Sequence, residues 1–159
     1  MDKELFIKEF SKAIHEGNAA IFAGAGTSVS AGFVNWKELV RPFSEEIKLD
    51  IEKETDLIGV TQYYINAKRH RANINQAIID NFLSQEAETD VMNLLTRLPI
   101  STYWTTNYDT VIEKGLENNH RKADVKRRET NLAYSVPNRD AVVYKMHGDV
   151  MLPEEAVIS

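Results

Sequence analysis

The stretch from Ala20 to Phe33, AIFAGAGTSVSAGF, constrains the fold more than any other part of the chain. An apolar run breaks into two glycines, then small hydroxyl residues, then Gly32. Residues Ala19 to Ala23, AAIFA, predict a short buried strand that ends at Gly24, with a helical pattern resuming a few residues later. Strand, glycine turn and helix in that order are the opening unit of an α/β sheet. In parallel sheets of that kind, ligands sit at the carboxyl ends of the strands.

The rest of the pattern agrees. Leu5, Ile7, Phe10 and Ile14 predict an amphipathic first helix, which Gly17 and Asn18 would stop. Asn35 and Glu38 have capping-box spacing ahead of Trp36, Leu39, Val40, Phe43 and Ile47, and Pro42 should kink that helix. Leu57, Val60 and Tyr64 mark a further helix, and Ile74, Ile78 and Phe82 another. Asp90 is expected to cap a fourth, with Val91, Leu94, Leu95 and Leu98. After Pro99, the β-branched and aromatic run ISTYWTT at 100–106 predicts a second strand, and 107–116 a loop and helix. AVVYKM at 141–146 predicts a third strand, closing on His147 and Gly148. The expected fold is a Rossmann-like parallel α/β sheet flanked by helices, with a helical insertion between its first and second strands. RKADVKRRE at 121–129 is read as a solvated edge strand with its loop, and KRHR at 68–71 as a solvated basic patch. No internal repeat or low-complexity segment interrupts the pattern.

Composition narrows the chemistry. A chain of 159 residues, 43% hydrophobic and 27% charged, can bury one ordinary core. A formal net charge of −5 disfavours nucleic-acid binding by phosphate neutralisation. The absence of cysteine excludes a disulfide framework, a thiolate nucleophile and cysteine-ligated zinc within these residues. The opening MDKELFIKEFSKAIHE interleaves charge with apolar residues and reads as neither signal peptide nor membrane span, so the expected location is cytoplasmic.

No lysine lies between Ala19 and Trp36, so the glycine loop is not a Walker loop, and ATP or GTP hydrolysis of that type is excluded. A dinucleotide fingerprint asks for glycine or alanine three residues after Gly26, where Val29 stands. What remains is physical: bare backbone after a strand lets a pyrophosphate approach, and a helix N-terminus offers N–H groups and positive partial charge. Ser28 could add a hydroxyl donor or simply cap a helix. The second strand ends in WTTNYD (104–109) and the third in KMHGD (145–149), so each carries a polar cluster toward the edge that holds the glycine loop.

This ordered set, Gly24-Ala25-Gly26-Thr27-Ser28, then Thr105-Thr106-Asn107-Tyr108-Asp109, then His147-Gly148, resembles the sirtuin (silent information regulator) family. Within it, the likeness is closest to the sirtuin-like domains of bacterial anti-phage defence, and among those to the NAD-consuming effectors of Thoeris systems. FAGAGTSVSAGFVNW, RLPISTYWTTNYDTVIEKGLE and RDAVVYKMHGDV carry that likeness, which extends over essentially the whole chain. The resemblance implies an NAD glycohydrolase that releases nicotinamide and depletes the infected cell of NAD. It implies that Gly24, Ala25, Gly26 and Ser28 meet the dinucleotide phosphates. Asn107 and Asp109 would lie beside the nicotinamide ribose, Thr106 would also bind NAD, and His147 would be the general base. NAD is then a substrate, no metal is required, and a homo-oligomer is expected, with neither nucleic acid nor membrane as partner.

Two departures from the protein-deacetylating sirtuins favour hydrolysis. Those enzymes hold zinc through four cysteines, which these residues lack, and carry glutamine where Thr106 stands. A third departure is length: strands covering the adenosine half of NAD are expected after His147, so residues 1–159 read as the N-terminal part of one sirtuin-like domain without a zinc-ribbon subdomain. Any nucleotide-sensing module would lie beyond it. The alternatives are a noncatalytic NAD-sensing module and, less favoured, a protein deacylase.

Overall fold

In the computed structural model, which describes residues 2–83 and 89–157, a parallel sheet forms around the glycine-terminated strand. Its strands are β1 (Ile21–Ala23), β2 (Thr102–Thr105), β3 (Ala123–Lys126) and β4 (Ala141–Lys145), arranged β1-β2-β4-β3. The helices are α1 (Lys3–His15), α2 (Trp36–Glu46), α3 (Leu57–Lys68), α4 (Ala72–Phe82), α5 (Asp90–Arg97) and α6 (Val111–Asn118). Helices α2 to α5 all fall between β1 and β2, as the periodicity predicts.

Local chemistry sets the helix starts. The Asn35 side chain accepts from the Glu38 amide at 3.0 Å, and the Glu38 carboxylate accepts from the Asn35 amide at 3.4 Å, which completes the expected capping box of α2. Pro42 lies inside α2, and the helix runs on to Glu46. At α5 the cap is Thr89 and not Asp90: its hydroxyl accepts from the Met92 amide at 3.1 Å, and Asp90 is the first helical residue. There its carboxylate still meets the positive end of the helix.

The chain leaves β2 for the outer strand β3, then returns to insert β4 between them. Neighbours in the sheet therefore bring Phe22, Trp104, Tyr144 and Lys126 into one row. Ala23, Tyr103, Thr105 and Val143 are buried with residues from α2 to α6, including Phe43, Ile78 and Leu116. Each such apolar side chain contributes roughly 1.5–3 kcal/mol on burial. The opposite row is open at β1 and β2, where Phe22 is 67% exposed and Trp104 37%, and the Trp104 and Tyr144 rings stack at 4.1 Å. The expectation that β1 is simply buried holds for Ala23 but not for Phe22, because alternate residues of a strand face opposite sides.

The segment expected to be a solvated basic edge does contain an edge strand, β3, but its charges are not all solvated. Lys126 and Asp124 are buried and paired at 2.9 Å, and Lys126 also donates to the Tyr134 carbonyl. Arg121 donates to the carbonyls of Thr96 at 2.7 Å, Leu98 at 2.8 Å and Ile100 at 2.6 Å. It thereby ties the end of α5 and the entry to β2 against the start of β3. Carbonyl clusters concentrate partial negative charge, and a guanidinium fork can satisfy several at once. Arg121→Ala should lower the unfolding free energy by about 2–4 kcal/mol, since hydrogen bonds to charged groups contribute about 1.5–3 kcal/mol and the carbonyls lose their partner. Urea denaturation checks this; a loss below roughly 0.5 kcal/mol, the range of ordinary surface substitutions, would refute the clamp.

Candidate active site

The three motif segments meet at the carboxyl edge of the sheet. They line a cavity of about 310 Å³ that includes Ala25, Ser28, Thr106, Asn107, Asp109 and His147. Its remaining wall is apolar, with Phe33, Trp36, Phe82 and Tyr108 among its residues. Tyr108 meets Trp36 at 5.6 Å and Phe82 at 5.7 Å between ring centroids, so the wall is a connected aromatic cluster. Gly24 reaches the site through its carbonyl, while Gly26 sits exposed on the same loop.

No long helix follows the glycines directly. Two short 3₁₀ turns, Ala25–Thr27 and Val29–Ala31, come first, and α2 starts only at Trp36. The expected helix N-terminus is therefore replaced by a tight loop. Gly32, at φ 84°, ends the second turn in the left-handed region that favours glycine. Thr27 closes the first turn by donating both its amide, at 3.0 Å, and its hydroxyl, at 2.8 Å, to the Gly24 carbonyl.

Asn107 joins that hub. Its Nδ2 donates to the Gly24 carbonyl at 3.0 Å and to Ser28 Oγ at 2.9 Å. A carbonyl can only accept, so this contact sets which way the carboxamide points. Both amide hydrogens are used inside the protein, and the carboxamide oxygen is the group left for a ligand. Ser28 is buried, makes no side-chain cap bond, and accepts from Asn107 instead. The helix-cap reading of Ser28 thus fails, and its hydroxyl hydrogen remains available to donate.

Asp109 lines the cavity but spends Oδ1 on the Val111 amide at 3.0 Å, which closes the turn into α6. Thr105 is buried and its hydroxyl accepts from the Asn107 amide at 3.0 Å. Next to it, Thr106 lines the cavity. His147 follows β4, is exposed, and lines the cavity. Its carbonyl accepts from the Val157 amide at 2.7 Å, folding the following segment back beside it.

Some of the site was not foreseen. Arg71, read as part of a solvated patch, donates to the Pro153 and Ala156 carbonyls at 2.9 and 2.6 Å. The Tyr108 hydroxyl donates to the Val157 carbonyl at 3.2 Å, and burial pushes that phenol well above its ordinary pKa. Together they hold residues 153–157 against the cavity. Beneath the loops, the buried Lys145 and Asp149 pair with the partly buried Glu113 and Arg127. A charge at the end of an apolar strand ordinarily points to water, so no sequence signal marks these residues. Among the described residues, no group of three His, Asp or Glu side chains is arranged to hold a metal ion.

The parallel edge thus brings together a bare loop, an amide-bridged second loop and a histidine turn, the three segments whose motifs carry the family resemblance, and comparison with known proteins bears on the same segments. Residues 101–159 match the family described as SIR2-like domain. That matched stretch contains the Thr105–Asp109 and His147–Gly148 motifs that line the cavity. Over 99% of its length it is 52% identical to the NAD(+) hydrolase ThsA of Cytobacillus dafuensis, covering 32% of that protein. It is 54% identical to the NAD(+) hydrolase ThsA of Bacillus cereus (strain MSX-D12), over 98% of this chain and 33% of that one. With the NAD(+) hydrolase ThsA of Acinetobacter baumannii (strain 532279), it shares 48% identity across 99% of this chain and 33% of the relative. The chain thus spans about a third of the length of the curated relatives it matches.

The glycines divide by what the fold requires. A Cβ on Gly148, at φ 104°, would stand 2.6 Å from the Ala156 Cα, whereas a Cβ on Gly24 or Gly26 would meet nothing within 4 Å. Gly148→Ala should therefore cost about 1–3 kcal/mol of stability from backbone strain, or more with the clash. Gly26→Ala should leave stability unchanged or raise it by up to about 1 kcal/mol through the unfolded chain. Thermal and urea unfolding of the two variants check the contrast; equal losses would show that Gly26 serves the fold.

Proposed function

We propose that this chain forms the catalytic face of an NAD glycohydrolase, binding NAD at the carboxyl edge of the sheet and releasing nicotinamide. The observation that carries this reading is the convergence of Asn107, Ser28 and His147 on one aromatic-walled cavity beside glycines whose bareness the fold does not need. The names of the relatives, NAD(+) hydrolase, support the same substrate.

In this reading the loop of Gly24, Ala25 and Gly26 lets the pyrophosphate approach the backbone, with the Ser28 hydroxyl as a further donor. The nicotinamide ring lies against the aromatic wall, which keeps water from all but the reacting face. As the bond between ribose C1′ and the nicotinamide nitrogen breaks, its electron pair leaves with neutral nicotinamide and the ribose gains oxocarbenium character. The Asn107 carboxamide oxygen orients a ribose hydroxyl or the attacking water. Water adds at C1′, and His147 takes its proton, leaving ADP-ribose. General-base catalysis by a positioned side chain typically contributes about 10²–10⁴-fold. Thr106 and Asp109 shape the ribose side of the cavity. Residues 1–159 form the N-terminal portion of the domain, and the whole protein acts in the cytoplasm as a homo-oligomer that depletes NAD during anti-phage defence.

His147→Ala should lower nicotinamide release by about 10²-fold or more while NAD binding persists. Asn107→Ala should lower both, because the carboxamide also braces Gly24 and Ser28. Nicotinamide release by chromatography and NAD binding by calorimetry, on the protein as the cell makes it, check these outcomes. Near-normal release from His147→Ala would overturn the assignment of the base, and NAD binding with no release from the unsubstituted protein would establish a sensing module.

A further inference from the structure

The proposed reaction needs Asn107 and His147 to keep a fixed relation, yet they stand on separate loops after β2 and β4. From the geometry beneath them, we infer that Lys145 is a positioning residue that locks the Asn107 loop to the His147 turn; this rests on the glycohydrolase reading above. The Lys145 side chain is fully buried at the end of β4. Its ammonium donates to the Asp109 carbonyl and, at 3.5 Å, reaches the Tyr108 carbonyl, so it grips the loop within two residues of Asn107. On its other side it pairs with Asp149 Oδ2 at 3.5 Å, two residues beyond His147, and with Glu113 Oε1 of α6 at 3.3 Å. Asp149 in turn pairs with Arg127 Nε at 3.0 Å and accepts from the Met151 amide at 2.8 Å. One cation thus touches the loop bearing the ribose-orienting group and the turn bearing the base.

The surroundings make this grip specific. Two acids, Glu113 and Asp149, face two bases, Lys145 and the partly exposed Arg127, so the set is neutral when all are ionised. The balance is imperfect: neither Glu113 oxygen has a hydrogen-bond partner, and burial holds that carboxyl above the usual range. A buried, incompletely paired cluster is poor material for stability, since breaking such sets costs far more than replacing them with apolar residues. Stability alone would be served as well by leucine or methionine at these positions. What the ions supply instead is direction, because an ammonium held between two carboxylates can donate to the Asp109 carbonyl from one place only. The backbone contact from the Val150 amide to the Tyr108 carbonyl, 3.0 Å, runs alongside it.

The test compares Lys145→Met, Lys145→Arg and Glu113→Gln in the protein as the cell makes it, with nicotinamide release and amide hydrogen exchange as readouts. Lys145→Met should lower kcat about 10-fold or more with KM changed less than 3-fold, and speed exchange across residues 105–111. Lys145→Arg keeps a buried cation that donates to the same carbonyls, and should recover most of the lost turnover. In an Asn107→Ala background, Lys145→Met should cost little more, because the group it positions is gone. Should Lys145→Met not fold, Glu113→Gln serves in its place, with faster exchange at 105–111 and kcat lowered about 3-fold. Wild-type exchange and turnover in whichever of these variants folds would overturn the inference, as would a kcat loss that multiplies fully with Asn107→Ala. Exchange needs no turnover: loosening at 105–111 in a protein that never releases nicotinamide would leave the positioning intact and overturn the glycohydrolase reading alone.

Discussion

The insertion of β4 between β2 and β3 is the constraint on which the site depends. Parallel strands start and end together, so neighbours in a sheet deliver their outgoing loops to one edge. With β1, β2 and β4 adjacent, the glycine loop, the Thr105–Asp109 segment and the His147 turn emerge side by side. Had β4 paired outside β3, His147 would stand two strands from Asn107. The Asn107 bridge to Gly24 then fixes the first pair of loops, and the buried cations beneath fix the second. This edge is therefore held by hydrogen bonds to backbone carbonyls, whose positions follow from the sheet itself.

Much of the fold was legible because it rests on periodicity. The apolar stripes of α2 to α5, the capping box at Asn35 and the β-branched run at β2 each follow from local rules and appear where expected. Boundaries were legible less well: Thr89 caps α5 in place of Asp90, since two polar residues in sequence can both serve and only the backbone angle of one suits. The cavity residues were legible as a set, because each closes a strand at the same edge. What their side chains do there was not. Asn107 spends both amide hydrogens on the protein, and Ser28 accepts in place of capping a helix; both facts depend on contacts between residues far apart in sequence.

The charges form the least legible layer. Arg71, Arg121 and Lys126 belong to stretches that read as solvated and Lys145 to a predicted strand end, yet each turns inward to backbone carbonyls. Cations are used this way because strand ends and helix ends leave carbonyls without intrachain partners, and a long side chain can carry a donor to them. Nothing in composition separates such a residue from an ordinary surface lysine. The consequence is that the loops at the carboxyl edge rest on inward-turned cations balanced by carboxylates.

The central claim, that this edge cleaves the nicotinamide bond by adding water at the ribose, is tested most directly by turnover in heavy-oxygen water. NAD should yield free nicotinamide and ADP-ribose carrying one heavy oxygen at C1′, at a rate abolished by His147→Ala. ADP-ribose without the label, or NAD recovered intact from a protein that demonstrably binds it, would contradict the account.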